Sequence, residues 1–297
     1  MSWECPHQSG DDLTCERRSQ PCQPLSKGCV LYGKVQFIGQ DREDTMKTSD
    51  KTDAADTLRP EQTVAEIVLR HPRLRMRLEQ LGVDYCCGGK KQLAHAVKDA
   101  GLDLKTVLAD LEQALLRKQA AAPATDWTAV PLTVLADHIL DTHHVFTKSQ
   151  LARIGVLLTR VQNAHRSRHG AMLDSLSNAF DSLRAELEAH LMKEEQILFP
   201  AIKGIDGFLA GRGGRPVVHC GSIAHPIQQM EHEHDGAGAV LVSVRQITHN
   251  YSLPEDACET FKALYEALVA LEADLHEHIH LENNILFPAS VAQERQM

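Results

Sequence analysis

Histidine and glutamate, set one helical turn apart, occur in this chain as a repeated pair. The run from His190 to Pro200 (HLMKEEQILFP) returns 88 residues later from His278 to Pro288 (HIHLENNILFP), so His190 and Glu194 correspond to His278 and Glu282. Positions i and i+4 share one face of a helix, so each pair can aim an imidazole nitrogen and a carboxylate oxygen at one point. Those donors together suit first-row transition metals. Composition agrees: the chain holds 17 histidines, more than its 13 aromatic residues, and fourteen of them lie at or after His138.

The helices that must present these pairs are visible as apolar stripes. Phe261, Leu264, Leu268, Leu271 and Leu275 recur in steps of three and four, and the same steps lead on to His278, Glu282 and Ile285. Leu183 and Leu187 lead in the same way to His190, Glu194 and Ile197. A bundle core would bury both stripes. Two further helices offer one histidine each. His234 lies on the stripe Ile223, Ile227, Met230, Ala237, Leu241, Val244, whereas His232 shares a polar line with Gln228 and Asp235. His144 lies on the stripe of Leu140, Thr147, Leu151, Ile154, Leu158 and Val161, whereas His143 shares its line with Gln150 and Arg153. His144 precedes His190 by 46 residues and His234 precedes His278 by 44, which pairs them within each half of the repeat.

A single histidine on an apolar face is ordinarily a hydrogen-bonded core residue. Two glutamates on core stripes that carry no basic residue are different, because a buried unpaired carboxylate costs several kcal/mol. A pair of divalent or trivalent ions satisfies all six side chains. No cysteine lies on these stripes, and structural zinc prefers four ligands in a closed shell. Four imidazoles with two carboxylates able to bridge suit a non-haem di-iron or di-manganese centre. Ferritin-like sites, where glutamates dominate in the order Glu-x-x-His, fit less well. About four protein ligands of six on each ion leave room for an oxo bridge and a small exogenous molecule.

The rest of the 297-residue chain sets the frame. With 43% hydrophobic and 24% charged residues it is globular and long enough for about two domains. The net charge of -9 argues against nucleic acid as a partner. No apolar run reaches the ~18–20 residues of a membrane span. Residues 1–56 read as a poorly ordered extension in which Met46 is an alternative start; the spacings of its Cys5, Cys15, Cys22 and Cys29 match no zinc pattern. No secretory leader is visible, which predicts a cytoplasmic protein with reduced thiols. Residues 57–119 read as a small helical domain. Thr63 and Glu66 form a capping box, Gly82 stops a second helix, a third begins near Gln92 and ends at Gly101, and Asp103 caps a fourth. Ala120–Thr125 is the expected linker, 126–293 the bundle, and Gly204–Gly221, with six glycines, a loop inside it.

Between the second and third helices lies the loop DYCCGGKK with Cys86 and Cys87. Its glycines are expected to expose the thiols, and Lys90, Lys91 and the nearby helix start to favour the thiolate. Adjacent side chains diverge, so a redox pair or a transient iron or sulfur ligand fits better than a tetrahedral metal site. His276 and His280 flank His278 away from the stripe and are expected in solvent. His165, just past Val161, is expected near the site as a gate. His138, His169, His219, Cys220 and Cys258 carry no pattern with a role.

The two His-x3-Glu helices, the EEQILFP/ENNILFP repeat and the single histidines on the partner helices resemble hemerythrin-like domains. With the DYCCGG element, residues 57–290 resemble the Repair of Iron Centres family, di-iron proteins that restore iron–sulfur clusters damaged by nitric oxide or oxidants. The resemblance implies an all-α fold, a hemerythrin-like four-helix bundle preceded by a small helical domain with a paired-cysteine loop. It also implies two non-haem iron ions, oxo- or hydroxo-bridged, with His144, His190, His234 and His278 as terminal ligands, Glu194 and Glu282 as bridges, and Cys86 and Cys87 as the functional thiols. Damaged iron–sulfur proteins are the implied partners and nitric oxide or oxygen the implied small ligands. The expected function is a stress response by iron supply or nitric-oxide handling rather than enzymatic turnover. A nitric-oxide reductase at the same irons and an oxygen or nitric-oxide sensor or carrier are the alternatives, and a homodimer is left open.

Overall fold

A computed structural model describes residues 58–116, 125–218 and 221–297, and the two-residue strands Thr14–Cys15 and Gln20–Pro21, which pair antiparallel. The rest of the expected extension, Met46 included, and most of the expected linker lie outside the described residues. Two compact units divide the chain, Met1–Ala54 and Ala55–Met297. Every candidate site residue belongs to the second, which is built almost wholly of helices.

Its first four helices are short and punctuated where the sequence says. Helix α1 (Val64–Arg70) starts at the Thr63 capping box, with Thr63 Oγ1 accepting from Glu66 N at 3.1 Å and Glu66 Oε2 accepting from Thr63 N at 2.8 Å. Helix α2 (Arg75–Gln80) ends before Gly82, whose φ of +70° is left-handed backbone that glycine adopts without strain. Helices α3 (Leu93–Asp99) and α4 (Leu104–Leu116) follow, the latter capped by Asp103. Their shared core, with Val64, Ile67, Leu74, Leu78, Leu93 and Leu111 fully buried, also takes in Ile279 from the bundle.

The bundle begins with α5 (Leu132–His138), a π-helical turn (Ile139–His144) and α6 (Val145–Lys193). Helix α6 reverses at His169, whose φ of -118° and ψ of 16° are not helical. Gln162 donates across the reversal to the Leu173 carbonyl at 3.5 Å, and Gly155 lies against Phe180 and Arg184. The two halves of α6 are therefore antiparallel arms. A second π turn (Glu194–Leu198) leads into α7 (Phe199–Leu209). Helices α8 (Ala224–Ile247) and α9 (Glu259–Leu281) form the other two arms, and a third π turn (Glu282–Leu286) precedes α10 (Phe287–Glu294). The leucine and phenylalanine stripes of all four arms meet in one core. The result is the expected all-α four-helix bundle.

Two expectations about local structure change. The stretch expected as a loop from Gly204 is helical to Leu209, because Ile205 is buried and Asp206 accepts from Thr133 Oγ1 at 2.6 Å, tying this segment to α5. The inward stripe also slips in one repeat: Ile197 is 57% exposed and Leu198 takes the interior position. The π turn explains the slip. Phe199 N–H donates to the Glu194 carbonyl and Phe287 N–H to the Glu282 carbonyl, each five residues back. Pro200 and Pro288 come next; proline offers no N–H and its ring presses on the carbonyl four residues earlier, so the turn before it widens by one residue. In the second repeat Ile285 stays buried, since it lies in an apolar cluster against which Leu69 packs.

Leu176→Ala, in the fully buried stripe, is expected to lower stability by about 2–5 kcal/mol in urea denaturation. Val156→Ala, at a side chain 53% exposed, is expected to change it by about 0.5 kcal/mol or less.

Candidate metal centre

Each of the four arms delivers its histidine to the same depth of the core, and two of them add a glutamate one turn on. His144, Glu194, His278 and Glu282 offer ligand atoms all within 4.8 Å of one another, and so do His190, Glu194, His234 and Glu282. All six side chains are buried, and both glutamates belong to both groups. His190 Nε2 lies 3.3 Å from Glu194 Oε2, His234 Nε2 3.2 Å from Glu282 Oε2, and His278 Nε2 3.0 Å from Glu282 Oε1. His144 Nε2 stands 3.5 Å from Glu194 Oε2. The grouping differs from the one expected. Each quartet takes one histidine from each half of the repeat, because His144 faces His278 across the bundle and His190 faces His234.

Three of the imidazoles are held from behind. His144 Nδ1 hydrogen-bonds Glu195 at 2.8 Å, His190 Nδ1 hydrogen-bonds Glu233 at 2.9 Å, and His234 Nδ1 hydrogen-bonds Asn283 at 2.9 Å. An acceptor on Nδ1 fixes the tautomer and turns the Nε2 lone pair inward, an arrangement typical of metal-bound histidine. The sequence contained a signal for two of them. Glu195 and Asn283 occupy equivalent places in the repeat, each directly after its interior glutamate. Glu233 had no such marker.

The donor set fits a metal on the structure's own terms. His144 Nε2, both Glu194 oxygens and Glu282 Oε2 are buried without a hydrogen-bond partner, all inside the cluster. Such orphaned polar atoms are rare unless an ion or water satisfies them. The electrostatics agree. Burial pushes the Glu282 and Glu194 carboxyls up, yet the surrounding imidazoles outweigh it and hold both below their usual range, Glu282 well below. Burial likewise opposes protonation of His190, but Glu194 and its neighbours pull it up to about 9. Glu233, despite partial burial, is held down to about 2 by Lys193, Gln229 and His190.

Several other histidines sit differently from expectation. His143 is buried, not outward: its Nδ1 hydrogen-bonds Asp274 at 3.0 Å and its ring stacks on His278 at 5.5 Å. The π turn at Ile139–His144 rotates it inward beside His144. His280 is buried and His276 half-buried, because Tyr85 lies edge-on against both rings. Burial lowers His280 to about 4, and His276 Nδ1 hydrogen-bonds Glu79 at 3.2 Å. His165 does not approach the cluster; it packs on Phe261 at the other end of the bundle. His232 is exposed, as expected.

The cysteine loop rests on α8 and on the third π turn. Cys87 Sγ is 3.7 Å from the His234 carbonyl, Lys90 reaches Glu231 at 2.6 Å, and Asn284 Nδ2 donates to the Tyr85 carbonyl at 3.3 Å. At Gly89 a Cβ would come within 2.6 Å of Asn284 Oδ1, so any side chain there would push the Asn284 amide away from the loop. Asp84 organises the loop by accepting from the backbone N–H groups of Cys86, Cys87 and Gly88 at 2.8–3.0 Å. The thiols are less exposed than expected. Cys86 is buried and Cys87 half-buried, with their sulfurs 3.8 Å apart. Nor are the lysines aimed at them: Lys91 pairs with Asp99 and Lys90 with Glu231. The neighbouring Cys87, burial and the Asp84 carboxylate raise the Cys86 thiol well above its usual value, the reverse of the expected activation. A cavity of about 380 Å³ opens beside the pair, lined by Tyr85, Cys86, Cys87, His276 and Ile279 among others.

Comparison with known proteins agrees with this architecture. Residues 135–290 match the hemerythrin HHE cation binding domain, and residues 60–115 match a domain of unknown function, DUF542. Over 235 residues the chain is 38% identical to the iron-sulfur cluster repair protein YtfE of Escherichia coli O81, an alignment covering 79% of this chain and 98% of that relative. It is 37% identical over the same shares to proteins of the same name from Citrobacter koseri and Salmonella paratyphi B. Among the described residues no helix is long and apolar enough to cross a membrane.

Asp84→Asn removes the negative charge beside Cys86. The midpoint of its pH-dependent alkylation, followed by peptide mass spectrometry, is expected to fall; an unchanged midpoint would remove Asp84 from the account of the raised thiol.

Proposed function

The chain belongs to the family of the iron–sulfur cluster repair protein YtfE, built on the hemerythrin HHE domain, and from that premise we propose that it repairs iron–sulfur clusters damaged by oxidative or nitrosative stress by means of a di-iron centre. In this reading His144 and His278 hold one iron, His190 and His234 hold the other, and Glu194 and Glu282 bridge them. The observation that carries it is the pair of four-ligand groups that share both carboxylates. Imidazole and carboxylate without sulfur is the donor set of non-haem iron. Bound there, two irons supply one-electron chemistry and exchangeable positions for a diatomic ligand such as nitric oxide or dioxygen.

The chain's own residues prepare that site. Glu195, Glu233 and Asn283 orient three of the imidazoles, and complete burial of Glu194 and Glu282 keeps bulk water from the carboxylates. Cys86 and Cys87 act as the redox or iron-transfer pair. What supports this role is their place between the cavity and the backbone of His234, on the helix that carries one iron ligand. The raised Cys86 thiol keeps a proton at neutral pH, which suits a pair that gives up protons with electrons or on meeting a metal ion. Damaged iron–sulfur proteins in the cytoplasm are the substrates, and iron, delivered to them, is the cargo.

Wild-type protein is expected to contain two irons per chain by elemental analysis, and His278→Ala and Glu282→Ala to lose most of it. Glu233→Ala, which unpins His190, is expected to weaken iron binding by about 10–100-fold. A Cys86→Ser/Cys87→Ser double variant should keep its iron yet fail to reactivate a nitric-oxide-damaged cluster enzyme. Full reactivation by that variant would take the thiols out of the mechanism. Rapid catalytic conversion of nitric oxide to nitrous oxide by the wild type would favour a reductase instead.

A further inference from the structure

The bundle end remote from the six-residue cluster carries a second convergence of metal-ligating side chains. His169 and His190 are 21 residues apart on one arm of α6, about 30 Å at 1.5 Å per residue. At this end His165 and His169, one turn apart, face Asp256 and Cys258 on the segment that enters α9. His165 Nε2 is 3.2 Å from Cys258 Sγ, and His169 Nε2 is 2.8 Å from Asp256 Oδ1. One nitrogen each of His165 and His169 and one oxygen of Asp256 lie within 4.8 Å of one another, while Cys258 Sγ, in contact with His165, stands outside that group of three. Arg168 Nη1 engages the other carboxylate oxygen, Oδ2, at 2.9 Å.

The four groups are held in place by the fold. Both imidazoles pack on the buried Phe261 ring, with centroids at 5.3 and 6.0 Å. His169 is the residue at which α6 reverses, and Cys258 occupies the N-cap position of α9. We propose that His165, His169, Asp256 and Cys258 form a second metal site, for a divalent cation of the zinc class, that clamps the α6 reversal to the start of α9. Two imidazoles and a carboxylate converge already, and the exposed Cys258 thiol, turned toward them, completes a four-ligand donor set for zinc. A sulfur donor disfavours magnesium and calcium, and also sets this site apart from the sulfur-free cluster in the core.

Asp256 is partly exposed and Cys258 exposed, so an ion reaches them without unfolding the bundle.

Cobalt(II) added to the full chain as purified, its iron content measured first, tests the proposal. A thiolate-to-cobalt charge-transfer band saturating at one equivalent, and bleached by zinc, is expected. Cys258→Ser should abolish the band with iron content unchanged; serine is a good helix N-cap, so the fold is kept. His165→Ala should weaken cobalt binding by at least about tenfold. In parallel, zinc should slow alkylation of Cys258 in the wild type by about tenfold or more, while Cys86 is unaffected. No band, a band of full strength in Cys258→Ser, or an alkylation rate indifferent to zinc would each overturn the assignment, and none of these outcomes bears on the iron centre.

Discussion

Two carboxylates buried side by side, in a core that provides no lysine or arginine to neutralise them, set the terms for the rest of the bundle. Glu194 and Glu282 are each 0% exposed. Ionised groups moved out of water cost several kcal/mol apiece unless they are paired and hydrogen-bonded. The four imidazoles meet that demand in part, and the carboxylates stay low in pKa because of them. A ring of outer acceptors then orients the imidazoles. Apolar clusters on either side of this polar layer, one built on Leu173–Leu187 and Phe261–Leu275 and the other on Leu198, Phe199, Leu286 and Phe287, stabilise the bundle against its cost.

The same constraint shapes the backbone. Three π turns interrupt the arms, and each begins or ends on a residue of the cluster: His144, Glu194 and Glu282. A regular α-helix would carry the residues beyond each glutamate along the original stripe. The wider turn instead places Leu198 and Leu286 inward after the glutamate. It also turns Glu195 and Asn283 toward the histidines of neighbouring arms. The prolines that follow make the wide turn a consequence of the sequence. In the third turn Asn284 extends the effect outward, since its side chain bonds the cysteine loop. The loop with the thiols and the turn with Glu282 are thereby parts of one structure.

Most of this was legible from residue order. The three–four alternation named all six cluster residues, because burial of a stripe is a local periodic property and polar residues within it stand out. The capping box at Thr63 and the left-handed turn at Gly82 were equally local. What escaped was partly non-local and partly a departure from the regular helical repeat. The side of α9 that bears His276 and His280 reads as solvated until the Tyr85 loop covers it. The exposure of Ile197 follows from a π turn that heptad-like counting does not register. His143 falls off the apolar stripe by regular helical counting for the same reason. Lys90 and Lys91 follow Cys86 closely in sequence, but its environment is set by Asp84 and Cys87. Glu231, the partner of Lys90, lies 141 residues along the chain, too far for spacing to reveal.

The central claim is that Glu194 and Glu282 bridge two irons rather than serve two independent sites. Low-temperature Mössbauer spectroscopy of the oxidised, iron-57-loaded protein tests it most directly. Bridged ferric ions couple antiferromagnetically to a diamagnetic ground state, so the account predicts quadrupole doublets without magnetic hyperfine splitting in a weak applied field. Magnetically split spectra of isolated high-spin ferric ions would contradict it.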